Sequence, residues 1–509
     1  MSAFATRRLL SAAALVLAAV ALTVWAHPPR PLWPCALAML APLVAFAERR
    51  RARAVFAFAY VYSTAMALVI VRWLLHALSA EYGVSRPAAW AFAVLLVGAY
   101  ALVPAGTAAL YAGLRPRVRL AAAPVLFASL WTLGEWLRAE PLGLPWVLSA
   151  HPLAFVPPAI QTADLGGVWA PGFGVALAGA GLGTALAGRR VAPLLAPLVF
   201  WALAGIWALP HRQAVDPGAD ALRIIAVQTS VPQNEKFQPG SAERNTRRHA
   251  AITRRRLAEA PVDLVVWSET AVDVDLDRTP ALARRLHALV EETGTPLVTG
   301  APRYDDGSPR NSVILLEPGS SGLQIYDKQR LVPFSESGGG IFGWLEPLVG
   351  PLTEGEPYVA GTEPRLLRTR GAALAAPICF EITYPHLLRS FRREGAQVFL
   401  NLSNDAWFGR TGFAQTHLAH APFRAVELRT WIVRATNTGI SAVIDPSGRV
   451  QRELGLFREG VLEADVAATD ARTVFGRYGD APVLATLLAL TLGALALGPG
   501  SGAGPRPRS

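Results

Sequence analysis

Ala376-Pro377-Ile378-Cys379-Phe380-Glu381 is the stretch that decides how this chain is read. The apolar run from Ala372 to Ile378 reads as a buried strand. It carries one of only two cysteines to its end, with a carboxylate two positions further on. A thiol presented at a strand end beside an acidic group suits nucleophilic acyl transfer. The same string also fits a small buried hydrophobe, the usual fate of a free cysteine. The rest of the chain has to separate the two readings.

Of the 509 residues, 52% are hydrophobic and 17% charged, and the mean hydropathy is +0.32. That is too apolar for an ordinary soluble protein. The apolar residues crowd 8–210 and 481–498, whereas most acidic residues fall between 215 and 480. The expected organisation is a membrane domain over 1–210 with seven transmembrane helices, a water-soluble domain over 211–480, an eighth transmembrane helix at 481–498 and a disordered cytoplasmic tail at 499–509. Segments 8–26, 31–48, 54–78, 88–114, 120–137, 167–187 and 191–210, together with 481–498, each offer about the 20 apolar residues that cross a bilayer. The first could also serve as a signal peptide, with Arg7-Arg8 before it and Ala26 after it, but six similar segments follow.

If all eight segments cross, Arg7-Arg8, the Arg49–Arg53 run, Arg115-Arg117-Arg119, Arg189-Arg190 and Arg506-Arg508 share one side. The excess of positive charge makes that side cytoplasmic and puts 211–480 outside. The net charge of +11 invites nucleic acid. The arginines sit in short loops beside apolar segments, so the expected partner is a membrane and not nucleic acid. Cys35 and Cys379 make no disulfide framework. Residues 138–166 form a longer outer loop with prolines at 141, 145, 157 and 158 among others, and Trp146 within Leu144-Pro145-Trp146 is a candidate for shaping a lipid access path.

From residue 222 the texture changes. Leu222–Val231, Val262–Trp267, Pro296–Gly300, the pair Asn311–Leu316 and Leu323–Tyr326, and Gln397–Leu402 read as strands. Ala242–Ala260, Thr279–Glu292, Pro385–Glu394 and Gln415–Arg429 read as helices, and a hairpin is expected near Asp445-Pro446-Ser447-Gly448. Strands alternating with helices predict an α/β domain whose central sheets are covered by helices. Glu269, Lys328 and Cys379 each stand at a strand end. Singly, the first reads as a cap and the second as a solvated lysine. Together they supply a base, a cation and a nucleophile, which is what acyl transfer through a thioester requires.

The strings Val265-Val266-Trp267-Ser268-Glu269, Tyr326-Asp327-Lys328-Gln329-Arg330-Leu331-Val332-Pro333-Phe334 and Pro377-Ile378-Cys379-Phe380-Glu381 resemble the Glu-Lys-Cys motifs of the nitrilase superfamily. Leu331–Glu336, Asn404-Asp405-Ala406-Trp407-Phe408-Gly409, Ala435-Thr436-Asn437-Thr438-Gly439 and Arg477-Tyr478-Gly479-Asp480 narrow the resemblance to the apolipoprotein N-acyltransferase family. It covers the soluble domain nearly end to end. The resemblance implies a membrane α-helical bundle of about eight crossings, joined to an extracytoplasmic nitrilase-like α-β-β-α sandwich. It implies that Cys379 takes an acyl chain from a membrane phospholipid, commonly phosphatidylethanolamine, and passes it to the amine of a diacylglyceryl-modified cysteine on an apolipoprotein. Glu269 would be the base and Lys328 the electrostatic stabiliser, with the amide after Cys379 helping the oxyanion. Glu336, Glu381 and Asn311 match supporting positions. No cofactor or metal is implied.

The chain departs from the family at Phe237, where Trp is common, at Phe380, where Tyr is common, and at Ser335, where glycine is usual. Phenylalanine keeps the apolar surface and loses the polar handle. Gly338–Leu345 is a glycine-hinged segment whose Phe342 and Trp344 suit a lipid-facing lid; in a soluble enzyme it would be a plain loop. His417 and His420, three apart, invite a metal, but no third ligand is evident and packing or hydrogen bonding is expected. Two other readings remain at this point. A membrane-anchored amidase would finish the same thiol chemistry with water, although one anchor would suffice for it. A transporter with a binding domain would need midplane polar residues, and these segments show almost none.

Overall fold

The structure, a computed structural model, describes residues 3–28, 32–236, 238–320, 322–350, 352 and 356–498. Phe237 and the tail 499–509 lie outside the described residues, as do 351 and 353–355. The chain divides into two compact units, one of residues 1–72, 93–212 and 478–509, the other of 73–92 and 213–477.

The first unit is helical. Among the described residues, four helices are long and apolar enough to cross a membrane: Ala52–Ile70, Arg86–Arg117, Leu120–Ala139 and Trp169–Gly188. Leu10–Ala26, Trp33–Ala47, Ala192–Trp207 and Ala481–Ala496 are apolar but shorter. Trp169–Gly188 is the most buried of the four long helices, and it packs on Ala41–Ala47, Ala123–Ala139 and Leu195–Trp207. Small residues allow this: a Cβ at Gly183 would run into the Ala41 carbonyl, so only glycine permits the approach. Several buried polar groups are paired. Glu48 accepts from Arg115 Nε at 2.7 Å and from the Tyr111 hydroxyl, and Asp480 accepts the indole N–H groups of Trp136 at 2.6 Å and Trp169 at 3.0 Å. Arg138, also buried, donates to the carbonyls of Leu144 and Trp146 and so holds the loop that follows it. The helix expected over 54–78 ends at Ile70.

The second unit contains two six-stranded sheets. The strands are β1 (Leu222–Gln228), β2 (Leu264–Trp267), β3 (Leu297–Asp305), β4 (Ser308–Leu316), β5 (Gln324–Asp327), β6 (Leu367–Arg368), β7 (Ala373–Ala375), β8 (Val398–Ser403), β9 (Trp431–Thr436), β10 (Ser441–Ile444), β11 (Val450–Leu454) and β12 (Gly460–Val466). The first sheet has the order β12-β1-β2-β3-β4-β5 and the second β11-β10-β9-β8-β7-β6. Each has a parallel centre, β1-β2-β3 and β7-β8-β9, flanked by antiparallel strands. The central strands are fully buried, as parallel strands covered on both faces must be.

The sheets meet face to face through β1 and β9. Helices Ser241–Leu257 and Pro280–Thr293 cover the first sheet, burying Ile252, Leu282, Leu286 and Leu289 against Val265, Trp267 and Ile314. Pro385–Arg393 and Ala421–Leu428 cover the second. The result is a four-layer α-β-β-α arrangement.

Two local expectations change. The single helix expected over Gln415–Arg429 is two, Phe413–Leu418 and Ala421–Leu428, because Pro422 cannot continue a helix from the preceding turn. The strand expected over Ala372–Ile378 is three residues long. Pro377 has no N–H for the ladder, and only a single bridge from Ile378 to Leu402 continues the pairing.

Candidate active site

The candidate groups collect beyond the carboxyl ends of the strands. Glu269 follows β2 by two residues and is buried. Gly300 of β3 passes directly beneath it, where a Cβ would collide with the Thr270 amide and Glu269 Cα. Lys328 leaves β5 and is 1% exposed, an ammonium that must find its charges inside the protein. Its Nζ lies 3.3 Å from Glu269 Oε1, 2.9 Å from Glu336 Oε1 and 2.8 Å from Glu336 Oε2. Asn311 Nδ2, on β4, donates to both carboxylates, at 2.9 Å to Glu269 and 2.8 Å to Glu336. Burial alone would lower the pKa of Lys328. The charges of Glu336, Glu269 and Cys379 override it and hold the ammonium well above its usual range.

Cys379 comes from the second sheet. It is buried and opens a 3-10 turn over Cys379–Thr383 with φ of +49°. The left-handed conformation costs a non-glycine residue about 1–2 kcal/mol, and two side chains hold the residue there. Asn401 Nδ2 donates to the Cys379 carbonyl at 3.4 Å, and His417 Nε2 lies 3.1 Å from the same oxygen. A trans peptide sets N–H opposite C=O, so gripping this carbonyl from behind turns the Phe380 N–H the other way.

His417 belongs to a second buried cluster. Asp405 Oδ1 lies 3.1 Å from His417 Nδ1, and Arg434 Nη2 lies 3.0 Å from Asp405 Oδ2 and 2.9 Å from His417 Nδ1. Arg434 also donates to Asn401 Oδ1. Burial and then Arg434 lower the pKa of His417, so the ring is neutral. Nε2 then carries the hydrogen toward the Cys379 carbonyl, and Nδ1 accepts from Arg434. Burial raises the Asp405 pKa, but the charge of Arg434 overrides it and holds the carboxyl well below the usual carboxylate range.

Donor atoms of Cys379, Asp405 and His417 lie within 4.8 Å of one another. Both imidazole nitrogens and the aspartate are already engaged, and a buried guanidinium stands among them. A divalent ion would have to displace those bonds beside a fixed positive charge. His420 is not in the group.

Glu381 joins the two halves of the site. Its Oε1 accepts from the Tyr326 hydroxyl at 2.8 Å and from the amides of Gln329 and Arg330 at 2.6 and 3.0 Å, while Oε2 accepts the Ile378 amide at 2.7 Å. The segment bearing Lys328 is thereby tied to the turn bearing Cys379. Burial pushes this carboxyl up to about 7, against the pull of the Ile378 amide and Lys328. A second tie is the Asn404 amide, just past β8, which donates to Glu269 Oε2 at 2.7 Å.

Glu269, Lys328, Glu336 and Asn311 therefore form one hydrogen-bonded group, and the thiol lies within electrostatic reach of Lys328 and Glu269. Phe380 is buried, edge-on to Tyr384 with ring centroids 5.1 Å apart. Trp146 belongs to the other unit. Phe342 and Trp344 lie in a 3-10 helix over Gly340–Leu345, with Trp344 58% exposed. Sequence reasoning gave no role to Asn401, Asp405, Arg434 or Tyr326. The available signal was Arg434 itself, a charge in the middle of the apolar strand Trp431–Thr436.

Burial, and then the charge of Glu269, push the Cys379 thiol well above the usual thiol range, with Lys328 offsetting part of the rise. Two consequences follow for alkylation by iodoacetamide without lipid. Cys379 should react more slowly than free cysteine at about pH 7.5, and Glu269→Gln should speed the reaction by removing a negative charge. Slower alkylation of Glu269→Gln would contradict this electrostatic account.

Residues 226–474 match the carbon-nitrogen hydrolase family, and residues 19–181 match the apolipoprotein N-acyltransferase N-terminal domain. The chain is 32% identical over 402 residues to the apolipoprotein N-acyltransferase of Geobacter metallireducens, covering 76% of each chain. It is 32% identical over 499 residues to that of Azotobacter vinelandii, covering 94% of this chain and 93% of the other. Among solved structures, an amidase from Nesterenkonia sp. is 20% identical with a TM-score of 0.39, over 50% of this chain and 94% of that one. The two-sheet unit has the carbon-nitrogen hydrolase fold, and the chain belongs to the apolipoprotein N-acyltransferase family.

Proposed function

We propose that this chain N-acylates the N-terminal diacylglyceryl-cysteine of lipoproteins, taking the acyl chain from a membrane phospholipid through a thioester on Cys379. The observation that carries the reading is the buried Lys328 ammonium shared by Glu269 and Glu336 beside a thiol held in a left-handed turn, in a chain with both family domains.

In the first half-reaction Glu269 takes the Sγ proton as sulfur attacks the ester carbonyl carbon. The oxyanion meets Lys328 and the Phe380 N–H. Collapse breaks the ester C–O bond, and the leaving glycerol oxygen takes the proton from Glu269, releasing a lysophospholipid. In the second half-reaction the α-amine of the diacylglyceryl-cysteine attacks the thioester. Glu269 takes the amine proton, the C–S bond breaks, and the proton returns to sulfur as the amide leaves. Glu336, Asn311 and Glu381 position Lys328 and Glu269. Phosphatidylethanolamine is the proposed donor.

The proposed topology has eight crossings, seven within 1–210 and one at 481–498, with the arginine-rich loops cytoplasmic and 211–480 on the outer face of the inner membrane. The four shorter apolar helices complete the count; 17 helical residues rise about 25 Å. Trp146 borders the lipid access path. Ile341, Trp344 and Leu348 are exposed within eight residues, which supports a lipid-facing lid around Phe342 and Trp344.

Incubating the purified protein with phosphatidylethanolamine bearing a labelled acyl chain should give an adduct of acyl mass on Cys379. It should be cleaved by hydroxylamine and absent from Cys379→Ala. No adduct, with small amides hydrolysed instead, would favour an amidase. Replacing Phe342 and Trp344 by Ser should slow lipid turnover about tenfold with little change in melting temperature. An unchanged rate would remove the lid.

A further inference from the structure

Between the helices Ala52–Ile70 and Arg86–Leu114 the chain runs through a short helix, Trp73–His76, and a π-helical turn, Ala77–Glu81. The sequence reads this stretch as the end of the 54–78 crossing and the loop before the one at 88–114. It is instead part of the two-sheet unit, as are residues 86–92 of the following helix.

Its contacts fall on two loops of that unit. On the loop after β8, Trp73 sits edge-on to Phe408 and Phe413, with centroids 5.2 and 4.8 Å apart. Tyr82 stacks on Trp407 at 5.0 Å with the rings 8° from parallel. The ring of His76 lies so close to Gly409 that a Cβ there would collide with it. On the loop after Lys328, Phe92 meets Phe334 edge-on at 5.0 Å, and the Tyr82 hydroxyl lies 2.8 Å from Ser335 Oγ.

These loops carry the two ends of the polar chain in the site. Glu336, one residue past Ser335, grips Lys328. Asn404, three residues before Trp407, donates its amide to Glu269. Glu269 and Lys328 come from the first sheet and Asn404 from the second, so their spacing depends on how the loops are held. Tyr82 touches both. Ser335 gives the Tyr82 hydroxyl a partner.

We propose that Tyr82 is a positioning residue for the reaction: its bond to Ser335 and its stack on Trp407 fix the spacing of the Lys328–Glu336 and Glu269–Asn404 pairs. Tyr82 makes this contribution without touching the reacting atoms. The chemistry rests on the acyl-transfer reading, whereas the effect on the thiol does not.

The test uses the full chain in detergent with Tyr82→Ala, Tyr82→Phe, Ser335→Ala and the double variant Tyr82→Phe/Ser335→Ala. Two quantities are read: kcat and KM of acyl transfer, and the pH profile of Cys379 alkylation. Tyr82→Ala should lower kcat about tenfold with KM nearly unchanged and should shift the alkylation profile. Tyr82→Phe and Ser335→Ala should each cost about threefold, and the double variant no more than either, as for two ends of one bond.

A kcat for Tyr82→Ala within about twofold of the parent, a change confined to KM, or additive losses in the double variant would each overturn the proposal. If Tyr82→Ala does not fold, the Tyr82→Phe and Ser335→Ala pair decides it. A parent protein without acyl transfer, but with a shifted alkylation profile in Tyr82→Ala, would reject the acyl-transfer reading and support the positioning role.

Discussion

A single buried ammonium organises the catalytic unit. Lys328 is almost fully out of water, and a lone charge there would be prohibitive. Glu336 and Glu269 compensate it, and Asn311 fixes both carboxylates. Taking one partner from such a group leaves a charge uncompensated, typically at a cost of about 3–5 kcal/mol. These four side chains come from one sheet and the loop after it. Cys379, the proposed nucleophile, comes from the other. Glu381 and the Asn404 amide tie the two halves together, so the site exists only when both sheets are packed.

The second sheet meets a different constraint, that of holding Cys379 in a conformation that side chains avoid. A 3-10 turn begins at the residue itself, and Asn401 and His417 grip its carbonyl. Arg434 and Asp405 hold those two side chains in turn, in a network buried throughout. Buried networks of this kind favour one arrangement, because alternatives leave more polar groups unpaired. The strain is thus maintained from behind, which leaves the sulfur side for chemistry.

The alternation of strands and helices from residue 222 onward was legible because each central strand is a short apolar run ending in a polar residue. The same feature marked Glu269, Lys328 and Cys379. Periodicity carries no information about which loops meet, so the partnership of Asp405, His417 and Arg434 was not legible, although a charge inside Trp431–Thr436 signalled that a partner was needed. The placement of Trp73–Phe92 was hidden for a different reason. Its aromatic residues lie between two apolar helices, and hydropathy reads rings that pack on a protein surface the same way as rings that face lipid. The short β7 and the divided helix after Gly412 were written in Pro377 and Pro422. Near the end of Ala123–Ala139, Glu135 was passed over as part of the apolar segment 120–137 and Arg138 as the first residue of the loop 138–166. Those two side chains bond to the loop that follows, Glu135 to Ser149 and Arg138 to Leu144 and Trp146.

The central claim is that the thioester on Cys379 is passed to an amine and not to water. The direct measurement is a chase: the labelled acyl-enzyme, freed of excess lipid, is mixed with a short peptide bearing an N-terminal S-diacylglyceryl-cysteine, and the fate of the label is followed by mass. The account predicts that the thioester persists in buffer, decays at a rate set by peptide concentration, and yields the N-acyl amide in equal amount. Decay at the same rate with and without peptide, with the label recovered as free fatty acid, would contradict it.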